Sequence, residues 1–131
     1  MIHEEICTYE VCKLAKEKGF DVPTHYAYNE NRQKAMYMEL CLNRNAKDSH
    51  SISAPTQSLL QRWLREEKEV FVEVYTRPHF ATTQTKTFYV WNIQYYDCKQ
   101  AYRIFQAPQD TFYTYEEALE DALKYAFKNL V

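Results

Sequence analysis

At 131 residues the chain has the length of a single domain, residues 1–131, able to bury a real core. Hydrophobic residues make up 46% and charged residues 26%, a globular balance that excludes wholesale disorder. The net charge is −2, without the basic excess of a sequence-independent duplex binder, and the only glycine, Gly19, leaves no residues for a Gly-rich phosphate loop or dinucleotide fingerprint.

Met1 to Glu5 carries acids and no apolar run, unlike a signal peptide, and no stretch reaches the roughly 18 apolar residues of a membrane span. We therefore expect a soluble, cytoplasmic protein. Cys7, Cys12, Cys41 and Cys98 are scattered without paired spacing and read as reduced, mostly buried thiols.

Thr8 to Lys18 forms the first helix, with Val11, Leu14 and Ala15 as its apolar stripe and Thr8 as N-cap. Gly19 follows in the left-handed position, and Phe20 folds back on the helix. Tyr26 to Tyr28 reads as a short strand, Asn29 to Asn31 as a turn, and Lys34 to Leu42 as a second strand rich in aromatic and sulfur side chains. Asn43 to Ser51 is the most polar stretch and the best candidate for a mobile loop. Ser53-Ala54-Pro55 supplies a capping hydroxyl and a first-turn proline for a second helix ending near Lys68. Leu59, Leu60, Trp63 and Leu64 line one face of it; Gln57, Gln61, Arg62 and Arg65 point elsewhere.

Val70 to Tyr75 alternates as a half-buried strand. A polar connection from Arg77 to Lys86 leads to the strand Thr87 to Tyr96, whose core face is Tyr89, Trp91, Ile93 and Tyr95. Asp97 to Gln100 turns into a last strand, Tyr102 to Gln106, completing an antiparallel meander. Thr114-Tyr115-Glu116-Glu117 is a capping box, Tyr113 can staple onto Ala118, and Leu119, Ala122, Leu123, Ala126 and Leu130 give the buried face of the last helix. Its leading acids, Glu116, Glu117, Glu120 and Asp121, suit the helix dipole. The expected fold is α+β, an antiparallel sheet of four to five strands with three helices, in the order α-β-β-α-β-β-β-α.

Three stretches, Leu14 to Phe20, Ala54 to Glu66 and Tyr113 to Glu120, together resemble small uncharacterised proteins encoded by phages and prophages of gut bacteria. The resemblance implies a mobile-element origin and brings no activity, cofactor or catalytic residue.

Cys7 and Cys12 stand at Cys-x₄-Cys spacing with no second pair, so a zinc site with His3 or His25 is disfavoured and no metal or cofactor is expected. His25, His50 and His79 sit in predicted loops or at strand edges and read as solvent-exposed, and no local sequence marks a nucleophile. The aromatic excess is the feature that asks for an explanation. Opposite the core face, Phe71, Tyr75, Phe88, Val90 and Tyr96 share one side of the meander, covered by a helix or offered as a platform. We expect coverage first, protein contact second and base stacking third. The leading functional reading is a non-catalytic protein that binds another protein, with self-association as a further outcome. The alternative is a nucleic-acid binder using Phe71, Tyr75, Phe88 and Tyr96 with Gln61, Arg62 and Arg65 of the 54–68 helix.

Overall fold

The computed structural model describes residues 2–29, 32–46, 50–77, 87–97, 102–106 and 110–131. The elements are α1 (Tyr9–Glu17), β1 (Thr24–Asn29), β2 (Arg32–Leu42), β3 (Ser51–Ser53), α2 (Gln57–Lys68), β4 (Val70–Arg77), β5 (Phe88–Asp97), β6 (Tyr102–Gln106) and α3 (Tyr115–Asn129). The fold is α+β in the expected order, with β3 added. The single sheet is not what forms. The strands divide into two antiparallel sheets of three, ordered β2-β1-β3 and β4-β5-β6. At the open edge of β4 the Gln61 side-chain amide donates to Val72 O at 2.7 Å, occupying a carbonyl that a further strand would need.

Local chemistry sets the helix ends. Thr8 Oγ1 accepts from Val11 N at 3.4 Å, and Gly19 closes α1 at φ 91°. There Gly19 N donates to Lys16 O and Phe20 N to Ala15 O, the two bonds of a Schellman end, which carries Phe20 into the core. The N-cap of α2 is Thr56 rather than Ser53: Thr56 Oγ1 accepts from Leu59 N at 3.2 Å, and Pro55 lies just outside the helix. Ser53 is used differently, since it belongs to β3 and its hydroxyl accepts from Arg44 N at 2.9 Å. Thr114 caps α3, accepting from Glu117 N at 3.1 Å, while Tyr113 stays exposed.

The polar stretch after β2 is anchored, at least as far as Ala46. Asn45 donates to Phe20 O and accepts from Ser53 N, both at 2.9 Å, and this draws Ser51–Ser53 alongside β1. Residues 47–49 of the expected loop lie outside the described residues, as do 78–86, 98–101 and 107–109 of the later connections.

One continuous core takes side chains from all three helices and both sheets. Val70, Val72, Trp91 and Ile93 provide the inner face of the second sheet, and Tyr89 and Tyr95 on that face are half-buried. Onto it α3 presents Leu119, Ala122, Leu123, Ala126 and Phe127, with Leu130 half-buried. Phe127 stacks on Trp63 of α2 at 6.0 Å, and Trp91 donates from Nε1 to Asp121 Oδ2 at 2.9 Å. Gln57 does not point outward but is buried at the junction of the helices. Its amide donates to Glu116 O at 2.9 Å and to Glu120 Oε2 at 2.8 Å. Glu120 Oε1 in turn accepts from Thr8 N at 2.8 Å and Thr8 Oγ1 at 2.6 Å. One carboxylate thus ties the starts of α1 and α2 to the middle of α3.

Candidate interaction surfaces

The β4–β5 register puts Val70, Val72 and Val74 opposite Tyr95, Ile93 and Trp91, so the expected face assignment holds. Phe71, Tyr75, Phe88, Val90 and Tyr96 share the other face. Tyr75 and Tyr96 are 46% and 52% exposed, Phe71 and Phe88 are half-buried, and Val90 is buried. Among the described residues α2 and α3 pack on the inner face, so no described helix supplies the coverage that was the first expectation. The platform is also interrupted. Tyr75 and Val90 form one row, with Phe88 diagonal to Tyr75 and packed on Tyr113 at 5.6 Å; Phe71 pairs with Gln94, with Tyr96 diagonal. Between these rows sits the polar pair Glu73–Asn92, which holds the two aromatic ends about 13 Å apart by strand rise.

Gln61, Arg62 and Arg65 lie elsewhere. They border a cleft of about 600 Å³ between α2 and the start of β1. The N-terminal segment forms its third wall, held by an antiparallel bridge between Ile6 and Thr56 and by Cys7 N donating to Pro55 O at 3.0 Å. Pro23, Tyr26, Ala54, Pro55 and Leu59 make much of the wall apolar. Its polar groups are unequally committed. Gln61 is spent on the edge of β4, Ser58 donates to Glu4 Oε1 at 3.0 Å, and Arg62 Nε donates to Glu66 Oε1 at 2.9 Å. Arg65 makes no hydrogen bond or ion pair among the described residues, so its guanidinium is available to a ligand. His25 and Cys41 also border the cleft. His25 is the second residue of β1 and exposed, with Nδ1 3.2 Å from Met38 O and its ring stacked on Tyr37; His79 lies outside the described residues. The structure therefore brings the three α2 residues together and the four sheet aromatics onto one face, and the cleft bordered by the first set is lined by none of the second.

The groups with shifted acidity are not in the cleft. The Cys7 thiol is pushed well up by its hydrogen bond with Cys12 and by burial, and burial pushes the Tyr28 hydroxyl up to about 12. The Glu10 carboxyl is held down by Lys124, 3.2 Å away, and Lys128, 3.6 Å away. Cys7 and Cys12 are buried as expected, whereas Cys41 is exposed. No group of three or more His, Cys, Asp or Glu side chains is placed to hold a metal ion among the described residues, and no described helix is long and apolar enough to cross a membrane.

One surface was not anticipated. On β2, Met36, Tyr37, Met38, Leu40 and Leu42 are 47%, 61%, 36%, 67% and 46% exposed. The signal available in the sequence was apolar bulk at both odd and even positions, too much for one buried face. No family model, curated protein or solved structure matches the chain.

Proposed function

We propose that the protein is a non-catalytic, cytoplasmic binding protein of phage or prophage type, and that its ligand is another protein seated in the α2 cleft. The observation that carries this is the cleft's composition, an apolar wall beside an uncommitted Arg65 with Arg62 next to it. An aliphatic or aromatic anchor with a neighbouring carboxylate on a partner matches both features, one by desolvation and the other by a charge-assisted hydrogen bond. Base stacking is less well served, because the sheet aromatics are split by Glu73–Asn92 and lie apart from the arginines.

The test is affinity capture from host cells with the wild type and with Arg62→Glu/Arg65→Glu, beside titration of labelled oligonucleotides at low and physiological salt. A protein retained by the wild type and released by the double variant is the expected result. Tight, salt-sensitive oligonucleotide binding abolished by Arg62→Ala and Arg65→Ala would overturn it, since phosphate neutralisation releases counterions and a desolvated protein contact does so far less.

A further inference from the structure

We infer that residues 2–6 form a displaceable strap that fills one side of the α2 cleft as a stand-in ligand, and that the partner is an extended acidic–aliphatic segment that takes its place. The inference rests on the reading of the cleft as a protein-binding site and names the chemistry of its occupant. On an extended segment alternate side chains share a side, and Glu4 and Ile6 both border the cleft while His3 and Glu5 do not. The chain's own segment therefore shows the cleft a carboxylate and an aliphatic anchor two residues apart. Those are the two groups to which the polar and apolar walls of the cleft correspond.

The strap is lightly held on a firm hinge. Cys7 is fully buried; its carbonyl accepts from the Tyr28 hydroxyl at 2.7 Å and its N–H donates to Pro55 O at 3.0 Å. Upstream of it Ile6 is half-buried and residues 2–5 are exposed, Ile2 to 99%. Among the described residues two hydrogen bonds reach that exposed stretch, Gln57 N to Glu5 O at 2.9 Å and Ser58 Oγ to Glu4 Oε1 at 3.0 Å. Any extended chain with an acid in the same place supplies both, so exchange loses little.

Register decides what an incoming segment gains. The strap runs antiparallel to the start of α2, Ile6 against Thr56 and Glu4 against Ser58, so positions further upstream head toward Arg62. Helix rise puts Arg62 about 6 Å and Arg65 about 10 Å beyond Ser58, and two extended residues upstream of Glu4 span about 7 Å. The position of Ile2 thus falls between the two arginines, yet neither Ile2 nor His3 offers them an acid, and Arg65 stays uncommitted. A partner segment of the form acid-x-acid-x-aliphatic reproduces both strap contacts and adds the carboxylate that the strap lacks.

Two labelled peptides test this, residues 2–8 with serine in place of Cys7 and the same peptide carrying Ile2→Asp, each titrated to about 1 mM against the full chain. The Ile2→Asp peptide should bind about tenfold more tightly than its parent. Glu4→Ala in the chain, at an exposed position and with unchanged circular dichroism, should tighten both peptides about three- to tenfold, the population shift that one such hydrogen bond commands. Ser58→Ala removes the same bond but also the donor that the peptide needs, so it should give no gain. A strap that merely stabilises α2 would make the two variants alike. No binding of either peptide to either chain, equal affinity in wild type and Glu4→Ala, or the same gain in Ser58→Ala overturns the inference. Arg65→Glu separates it from the reading on which it rests. An Ile2→Asp advantage that survives Arg65→Glu removes that arginine from the site, whereas the gain from Glu4→Ala does not depend on its charge.

Discussion

Replacing Glu120 by alanine should cost far more than its place among the surface acids of α3 implies. The carboxylate accepts from Thr8 N, Thr8 Oγ1 and Gln57 Nε2 at 2.8, 2.6 and 2.8 Å. Thr8 is exposed, so water replaces much of what its two bonds lose. Gln57 is 5% exposed and keeps only its bond to Glu116 O. Taking the charged bond to buried Gln57 at the upper end for such bonds and the two exposed ones at a few tenths each, the loss is about 2–3 kcal/mol. For a chain of this size that corresponds to a fall in Tm of about 6–12 °C. Glu120→Gln is the sharper variant, because it preserves shape and the acceptor for Thr8 but sets an amide donor against the amide of Gln57. It should recover little of the loss. Thermal and urea unfolding of Glu120→Ala, Gln57→Ala and the double variant give the coupling energy, expected at about 1–2 kcal/mol. A loss below about 0.5 kcal/mol for Glu120→Ala, or zero coupling, would show that the starts of α1 and α2 are held to α3 by packing alone.

Raising the pH should destabilise the fold through Tyr28. Its folded pKa is raised to about 12, so its contribution is complete below the unfolded value near 10 and is lost as pH rises toward 12. Tyr28→Phe should lack this share of the alkaline slope in pH-dependent urea melts, although it loses the bond to Cys7 O at every pH. In native Cys98→Ser protein a disulfide reagent should modify Cys41 quickly and leave Cys7 and Cys12 until unfolding, since both are fully buried; early loss of three thiols would contradict the core. Leu123→Ala and Phe127→Ala, at fully buried sites, should cost about 2–5 kcal/mol each by chemical denaturation, and near-wild-type stability would remove α3 from the core. Thr114→Ala should cost on the order of 1 kcal/mol through the lost cap of Glu117 N.

What could be read in the sequence is what neighbouring residues decide. Gly19 with Phe20 announces the end of α1, Thr114 the start of α3, and the valines of Val70 to Val74 the inner face of β4, because each signal lies within a few positions of its effect. The choice between Ser53 and Thr56 as the α2 cap is different in kind. Both hydroxyls flank Ala54-Pro55, and what removes Ser53 from the helix is its pairing with Ala27 of β1 and its bond from Arg44, contacts invisible from the local sequence. The sequence turns Gln57 outward for the same reason, and it offers no partner for Glu120. Each sits where the helix pattern permits exposure, and only the meeting of the starts of α1 and α2 with the middle of α3 makes them partners. For the functional surfaces, strand parity placed Phe71, Tyr75, Phe88 and Tyr96 together, but nothing local places Arg62 and Arg65 on a different surface from them.

The division into two sheets is also what creates the β2 surface. Six strands in two sheets have four open edges instead of two, and each must be protected or used. β3 is only three residues long and β6 five, and the edge of β4 carries the Gln61 bond. β2, with eleven residues, is the longest edge strand among the described residues, and bulges rather than charges are its defence. Those bulges explain why period-two reading fails there. The step past His25 adds three residues to β2 and exchanges its faces, while the step past Tyr28 adds two and keeps them, so alternation holds only in pieces along the strand. A bulge protects backbone but leaves side chains bare. An edge guarded in that way resists strand addition while keeping an apolar surface.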